Sequence, residues 1–196
     1  GVEFCYRERV TGLERSGDRV TAVHTDTGRR LAADVVVLTT ELPDSYRLLG
    51  RRPRRPARLR PAPSAVVAHV GCRRAEPAPP HHTILFGSAW EQTFRDIIDD
   101  GRLMRVPSLL VSRPTAGDAS LAPDGRDLLY ILAPAPNTAA GRIDWDLLGD
   151  GYAEEMLNAV SARLPASTVD AEMLHVVNPA DWERQGMAAG TPFALA

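Results

Sequence analysis

A chain of 196 residues, 44% hydrophobic and 24% charged, has room for a sizeable core in one large domain or two small ones. Its formal net charge of −2 gives no global field for nucleic acid, and no apolar run reaches the ~18 residues that a membrane-spanning helix needs. Lysine is absent while arginine, alanine and proline are frequent, a pattern of coding bias rather than of mechanism. Cys5 and Cys72, far apart and in apolar strand-like contexts, read as two buried reduced thiols. The first residues carry neither the basic nor the apolar region of a signal peptide. Gly1 leads straight into strand-like sequence and Pro192-Phe-Ala-Leu-Ala196 is an apolar tail, so both ends read as cut and the chain as an internal piece of a longer protein.

Residues 2 to 38 read as a β-rich block. Val2-Glu-Phe-Cys-Tyr6 alternates, and Val10-Thr-Gly-Leu13 and Val20-Thr-Ala-Val-His24 carry alternating Val or Leu, as half-buried strands do. Arg15-Ser-Gly-Asp18 is a hairpin turn in which Gly17 takes positive φ, and Thr25-Asp-Thr-Gly28 is a second tight turn before Arg30-Leu-Ala-Ala33. The three strands predict an antiparallel meander. Asp34 opens Val35-Val-Val-Leu38, an apolar run without alternation, which suits a strand buried on both faces in a parallel sheet. Thr39 and Thr40 leave its carboxyl end, where open α/β sheets bind ligands, so they stand as candidate contacts beside a plain loop and cap role. Asp44 or Ser45 is placed to cap a short helix through Leu48 and Leu49, closed by Gly50.

Residues 51 to 63, RRPRRPARLRPAP, set Arg51, Arg52, Arg54, Arg55, Arg58 and Arg60 among prolines and form the best boundary in the chain. A solvated basic loop is one reading. Attraction to anionic lipid headgroups, about 1 kcal/mol per basic residue near the surface, is the other. Nucleic acid is not an expected partner, because no aromatic residue is there to stack on bases.

Ser64-Ala-Val-Val-Ala-His-Val-Gly71 reads as a strand, followed by a Pro-rich loop from Cys72 to Pro80 and a shorter strand in His81-His-Thr-Ile-Leu-Phe-Gly87. Adjacent histidines on a strand point to opposite faces, and no Cys or His stands at zinc spacing, so His81 and His82 read as packing or hydrogen-bonding residues and no metal site is expected. Trp90, Phe94, Ile97 and Ile98 form a helical stripe that reads as core, ended by Asp99-Asp-Gly101. Pro107–Ser112 and Asp127–Ala133 are strand-length apolar runs predicted to lie side by side, with Pro134 and Pro136 ending the second. The loop of roughly a dozen residues between them is long enough to suggest function, yet holds no evident nucleophile or metal ligand. A polar loop from Asn137 to Asp150 carries Trp145, Leu147 and Leu148. Tyr152, Met156, Leu157, Val160 and Leu164 then recur at helical spacing, with Glu154 and Glu155 in the first turn and Pro165 as the stop. Glu172–Val177 is a last strand, and Asn178 or Asp181 begins the short helix that carries Trp182.

The chain holds no G-x-G-x-x-G, P-loop, G-x-S-x-G, H-E-x-x-H or C-x-x-C. No carboxylate pair stands out, and His69, His81, His82 and His175, all in strand contexts, read as structural. Local patterns therefore mark no catalytic residue.

Taken in order, His81-His-Thr-Ile-Leu-Phe-Gly87, Ser108-Leu-Leu-Val111, Pro114-Thr115, the stretch Asp118–Gly125, Leu129–Pro136 and Asp144-Trp145 resemble segments of bacterial-type phytoene desaturases. These are FAD-dependent carotenoid desaturases of the amine-oxidase-like flavoprotein superfamily. Pro179-Ala-Asp-Trp182 and Gly190-Thr-Pro-Phe-Ala-Leu195 resemble the closing motifs of that family's substrate domain. Gly1–Phe4 and Ala33–Leu38, with Asp44, Tyr46 and Leu49, match its N-terminal part.

The resemblance implies an α/β (α+β) fold in three parts. Residues 1–50 are expected to be part of a dinucleotide-binding FAD domain with a β-meander, 51–63 a linker, and 64–196 a substrate domain of mixed sheet and helices. The family's glycine fingerprint and its C-terminal flavin segment lie outside these residues. The implied cofactor is FAD, and the implied substrate an apolar polyene, phytoene or its like, drawn from the bilayer and giving up a hydride to flavin. The implied location is cytoplasmic with peripheral contact at the cell membrane. Carried over residue by residue, Val10 in the strand Arg9-Val10 is expected to meet the adenine, and Thr39 and Thr40 to face the dinucleotide. A carotenoid isomerase or another carotene oxidoreductase is the near alternative, and a non-catalytic binder of apolar lipids the alternative from a different class.

Overall fold

The structure, a computed structural model, describes residues 1–52, 60–164 and 171–194. The chain divides into two compact units, Gly1–Arg58 and Leu59–Ala196.

The first unit is built on an antiparallel sheet, β1 (Val10–Ser16), β2 (Arg19–Thr25) and β3 (Arg30–Ala32), in that order. Gly17 and Gly28 occupy its two turns at φ of +61° and +81°, a region that strains any residue with a Cβ. Across the sheet Glu14 accepts hydrogen bonds from Arg30 at 2.7 and 2.8 Å and from Thr21 at 3.1 Å. The Arg30 hydrogen bond, then those of Thr21 and His24, hold the Glu14 carboxyl down to about 2. After the meander, α1 (Leu42–Leu48) begins from Glu41 rather than from Asp44 or Ser45, with Pro43 in its first turn, where a missing N–H is no loss.

Two expected strands of this unit do not form. Val35–Leu38 is irregular, with Val35 and Val37 79% and 80% exposed, and Val2, Phe4 and Tyr6 also face solvent outside any strand. An apolar run becomes a strand only where neighbours pair with its backbone N–H and C=O groups, and among the described residues none pairs with either segment. Cys5 lies in the first of these segments and is exposed, so the expectation of two buried thiols holds for Cys72 alone.

The second unit is a five-stranded sheet with helices. Its elements are β4 (Ser64–Arg73), β5 (His82–Leu85), α2 (Trp90–Phe94), β6 (Leu109–Ser112), β7 (Arg126–Ala135), α3 (Trp145–Ser161), β8 (Ala171–Val177) and α4 (Pro179–Arg184). The strands run in the order β5-β6-β7-β4-β8, and every neighbouring pair is antiparallel. Strand alternation sends Val66, Ala68 and Val70 of β4 and Leu129, Ile131 and Ala133 of β7 to one face. There they form the core with Tyr152, Met156 and Val160 of α3, joined by Leu109 and Val111. Each large side chain so buried contributes about 1.5–3 kcal/mol.

Three local readings change. Pro134 lies inside β7, opposite Ala65, instead of ending the strand. The β6 ladder stops at Leu132, so one side of β7 has no partner at Pro134 and tolerates the missing donor. The polar loop before the long helix is already helical from Trp145, capped by Asp144, whose side chain accepts from the Leu147 N–H at 3.2 Å. The expected stop at Pro165 lies outside the described residues. The stripe from 90 to 98 is interrupted: α2 passes into a π-helical turn at Arg95–Asp99, which leaves Ile97 buried while Phe94 and Ile98 are exposed.

Candidate functional site

The residues expected at FAD sit in the first unit. Val10 opens β1, opposite Thr25, while Thr39 and Thr40 lie exposed just before α1. Asp26 engages both backbone groups of Arg9: the Arg9 N–H donates to its carboxylate at 3.0 Å, and the Arg9 carbonyl accepts from its N–H at 2.9 Å. The Thr40 hydroxyl lies 2.9 Å from that of Ser45, so it also serves the first turn of α1. Glu8 is committed nearby, accepting from Thr27 at 2.7 Å, Arg29 at 2.7 Å and Thr25 at 3.0 Å, and the Thr27 hydrogen bond leads in holding its carboxyl below the ordinary value. Among these residues no glycine turn is present to hold the pyrophosphate of FAD.

The second unit presents a different surface. On the side of the sheet turned from α3, register sets His69 of β4 between Tyr130 of β7 and His175 of β8. The His69 ring meets Tyr130 edge-on at 5.3 Å and stacks on His175 at 5.9 Å. Burial, and then the neighbouring His175, hold the His69 imidazole below its ordinary value, while burial pushes the Tyr130 phenol up. Both are uncharged near neutral pH. By the same register Leu128, Leu132, Leu110 and Ile84 share this face, half-buried or exposed. His82 lies on it too, its Nδ1 2.9 Å from the Ser112 hydroxyl. His81 stacks on His82 at 4.3 Å instead of pointing away, because it precedes the strand and strand alternation does not reach it. Among the described residues no group of three or more His, Cys, Asp or Glu is arranged to hold a metal.

At the far end of this face the loop before β7 comes over the sheet. Leu121 to Asp124, with Gly71, Leu128 and Met173, line a cleft of about 520 Å³. Glu172 in its wall accepts from Arg126 at 2.6 Å and from Arg73 at 3.3 Å; the Arg126 hydrogen bond is the leading cause that keeps this carboxyl below its ordinary value. The loop is tied down by Asp127, 2% exposed, which accepts from the Thr115 hydroxyl at 2.7 Å and from Arg113 at 3.3 Å. Single-residue patterns gave no hint of the His69–Tyr130–His175 cluster or of the cleft. The signal available was the second stripe of β7, Leu128, Tyr130 and Leu132, which alternates with the core stripe.

The profile of the flavin containing amine oxidoreductases matches residues 1–195, and the chain belongs to that family. Among relatives, it is 52% identical over 199 residues to a phytoene dehydrogenase of Streptomyces griseus, covering 100% of this chain and 39% of that protein. It is 32% identical to a zeta-carotene-forming phytoene desaturase of Myxococcus xanthus, over 100% of this chain and 39% of the relative. A lycopene-forming phytoene desaturase of a Paracoccus species is 30% identical over 93% of this chain and 38% of its own length. The chain thus spans about 39% of the length of the curated relatives it matches. An oxidoreductase from Methanosarcina mazei shares the fold, with a TM-score of 0.54 at 14% identity over 87% of this chain and 37% of that one.

Proposed function

We propose that these residues belong to an FAD-dependent desaturase of a carotenoid precursor, with phytoene as substrate. The observation that carries this is the match along the whole chain to a phytoene dehydrogenase. Residues 1–50 are then part of the FAD-binding domain, with Val10, Thr39 and Thr40 on its adenine and dinucleotide side, and 64–196 the substrate domain, joined by 51–63. When bound, FAD would supply the acceptor for the hydride that saturated carbons beside the polyene lose together with a proton. The part played by the second unit is a long, largely apolar face on which Leu110, Leu128, Tyr130 and Leu132 bind and orient an apolar chain and exclude water. The rings of His69 and Tyr130 carry no charge that would oppose positive charge developing on the polyene, and an aromatic face attracts a cation by about 0.5–1 kcal/mol or more.

The test is direct: under anaerobic conditions phytoene should bleach the flavin absorbance of the full native protein loaded with FAD. No bleaching would overturn the desaturase reading. The isolated chain, by contrast, should hold no stoichiometric FAD, since the backbone N–H groups of a glycine turn belong to residues outside it. Stoichiometric binding at micromolar FAD would show that the first unit suffices.

We place membrane contact at the arginine run. Arg51, Arg52 and Arg60 are described, and Arg54, Arg55 and Arg58 lie outside the described residues. Among the described residues no helix is long and apolar enough to cross a membrane. Attraction of a basic run to anionic headgroups is worth about 1 kcal/mol per residue and fades over ~8 Å at physiological salt. Changing all six to glutamine should lower co-sedimentation with anionic liposomes by about tenfold or more, and added salt should act in the same direction. Binding indifferent to both would leave this stretch a solvated loop.

A further inference from the structure

We propose that the cleft over Gly71 takes one apolar end of the polyene, and that Gly71, Leu121 and Met173 set how long a chain the site accepts. The proposal rests on the desaturase reading above.

The first argument is the glycine itself. Gly71 lies inside the ten-residue strand β4 and is not among the residues with positive φ. Its backbone therefore does not call for glycine, and a glycine in a strand interior weakens the strand unless something must approach closely. An ideal Cβ there would stand 3.3 Å from the Cβ of Met173, tighter than ordinary contact, and would rise from the floor of the cleft. The missing side chain thus makes room first for Met173 of the neighbouring strand, and it leaves the floor of the cleft low.

The second argument is chemical. Leu121, Ala122, Pro123, Leu128 and Met173 make the lining mostly apolar; of its charged residues Arg126 pairs with Glu172 at 2.6 Å, Asp127 is held by Arg113 and Thr115, and Asp124 lies at the exposed rim. About 520 Å³ lies within the range of small-molecule sites. A terminal hydrocarbon group is the ligand such walls prefer.

The third argument is position. Gly71, Leu128 and Met173 form the register row two residues along from His69, Tyr130 and His175, on the same face. Two residues of strand span roughly 7 Å. A chain lying along the strands with its end in the cleft is therefore indexed against the ring cluster, and the depth of the cleft decides which carbons reach it. Asp127 anchors the start of the loop that forms the roof, through Arg113 and Thr115.

The experiment uses the full native protein loaded with FAD, offered phytoene and the shorter 4,4'-diapophytoene, with kcat/KM measured for each. Gly71→Leu raises the floor and Leu121→Trp lowers the roof. In both, the preference for the longer substrate should fall by about tenfold or more, the scale on which hydrophobic pockets discriminate by a methylene or two. Gly71→Ala should shift it less. Leu121, half-exposed, keeps the test open should Gly71→Leu fail to fold. An unchanged ratio, or equal loss on both substrates in a variant with normal FAD content, overturns the proposal. If the unsubstituted protein turns over neither polyene, the desaturase reading fails, and the proposal with it.

Discussion

Replacing Asp127 by alanine is expected to destabilise the native protein by about 3–5 kcal/mol, the cost of removing one partner of a buried ion pair. Its carboxylate is 2% exposed and collects the Thr115 hydroxyl at 2.7 Å, Arg113 at 3.3 Å and Arg74 at 3.5 Å. Alanine would strand the Arg113 guanidinium, whose side chain is itself only 15% exposed and whose Nε is buried without a partner. Asp127→Asn keeps an acceptor for Thr115 but loses the charge, so it should fall between the two. Urea denaturation followed by circular dichroism reads the difference. A loss below about 1 kcal/mol for Asp127→Ala would mean that the loop from 113 to 125 is held by other contacts.

Met156→Ala should cost about 2–5 kcal/mol, the range for emptying a fully buried large side chain. Met156 has no exposed surface and lies in the cluster of Val66, Ala68, Leu129 and Ile131. Leu147, on the same helix but 77% exposed, supplies the contrast: Leu147→Ala should change stability by less than about 0.5 kcal/mol. The same denaturation experiment decides both. Equal effects at the two positions would mean that α3 does not pack as described.

What could be read from the residues alone followed one physical rule: elements whose partners lie within the chain were legible. β4 and β6 are apolar runs that each pair with the apolar run of β7, and the meander carries its own turns. The start of α4 was legible too, because Asn178 accepts from the N–H groups of Ala180 at 2.9 Å and Asp181 at 3.2 Å, a purely local arrangement. Val2–Tyr6 and Val35–Leu38 carry equally good strand patterns, but among the described residues nothing pairs with them. The first turns of α3 were hidden by Gly149 and Gly151, poor helix formers. At Gly149 tertiary structure overrides propensity, since a Cβ there would come within 3.1 Å of the Asn178 side-chain nitrogen.

The candidate site was less legible than the fold. His69, Tyr130 and His175 are 61 and 45 residues apart in the chain (130 − 69 and 175 − 130), and only the register of three strands makes them neighbours. Asp127 looked like the polar first residue of a strand. Its burial depends on Arg74, Arg113 and Thr115, which no local pattern connects to it.

The sheet of the second unit carries the core with α3 on one face, and this separates two kinds of evolutionary constraint. A change at Ile131 or Val70 is judged by whether the chain still folds. A change at Leu128, Leu132 or Met173, on the other side of the same strands, displaces little packing and is judged by what the surface then accepts. On the desaturase reading proposed above, successive residues along one strand answer alternately to folding and to chemistry, so substrate preference would drift by single substitutions while the scaffold stays in place.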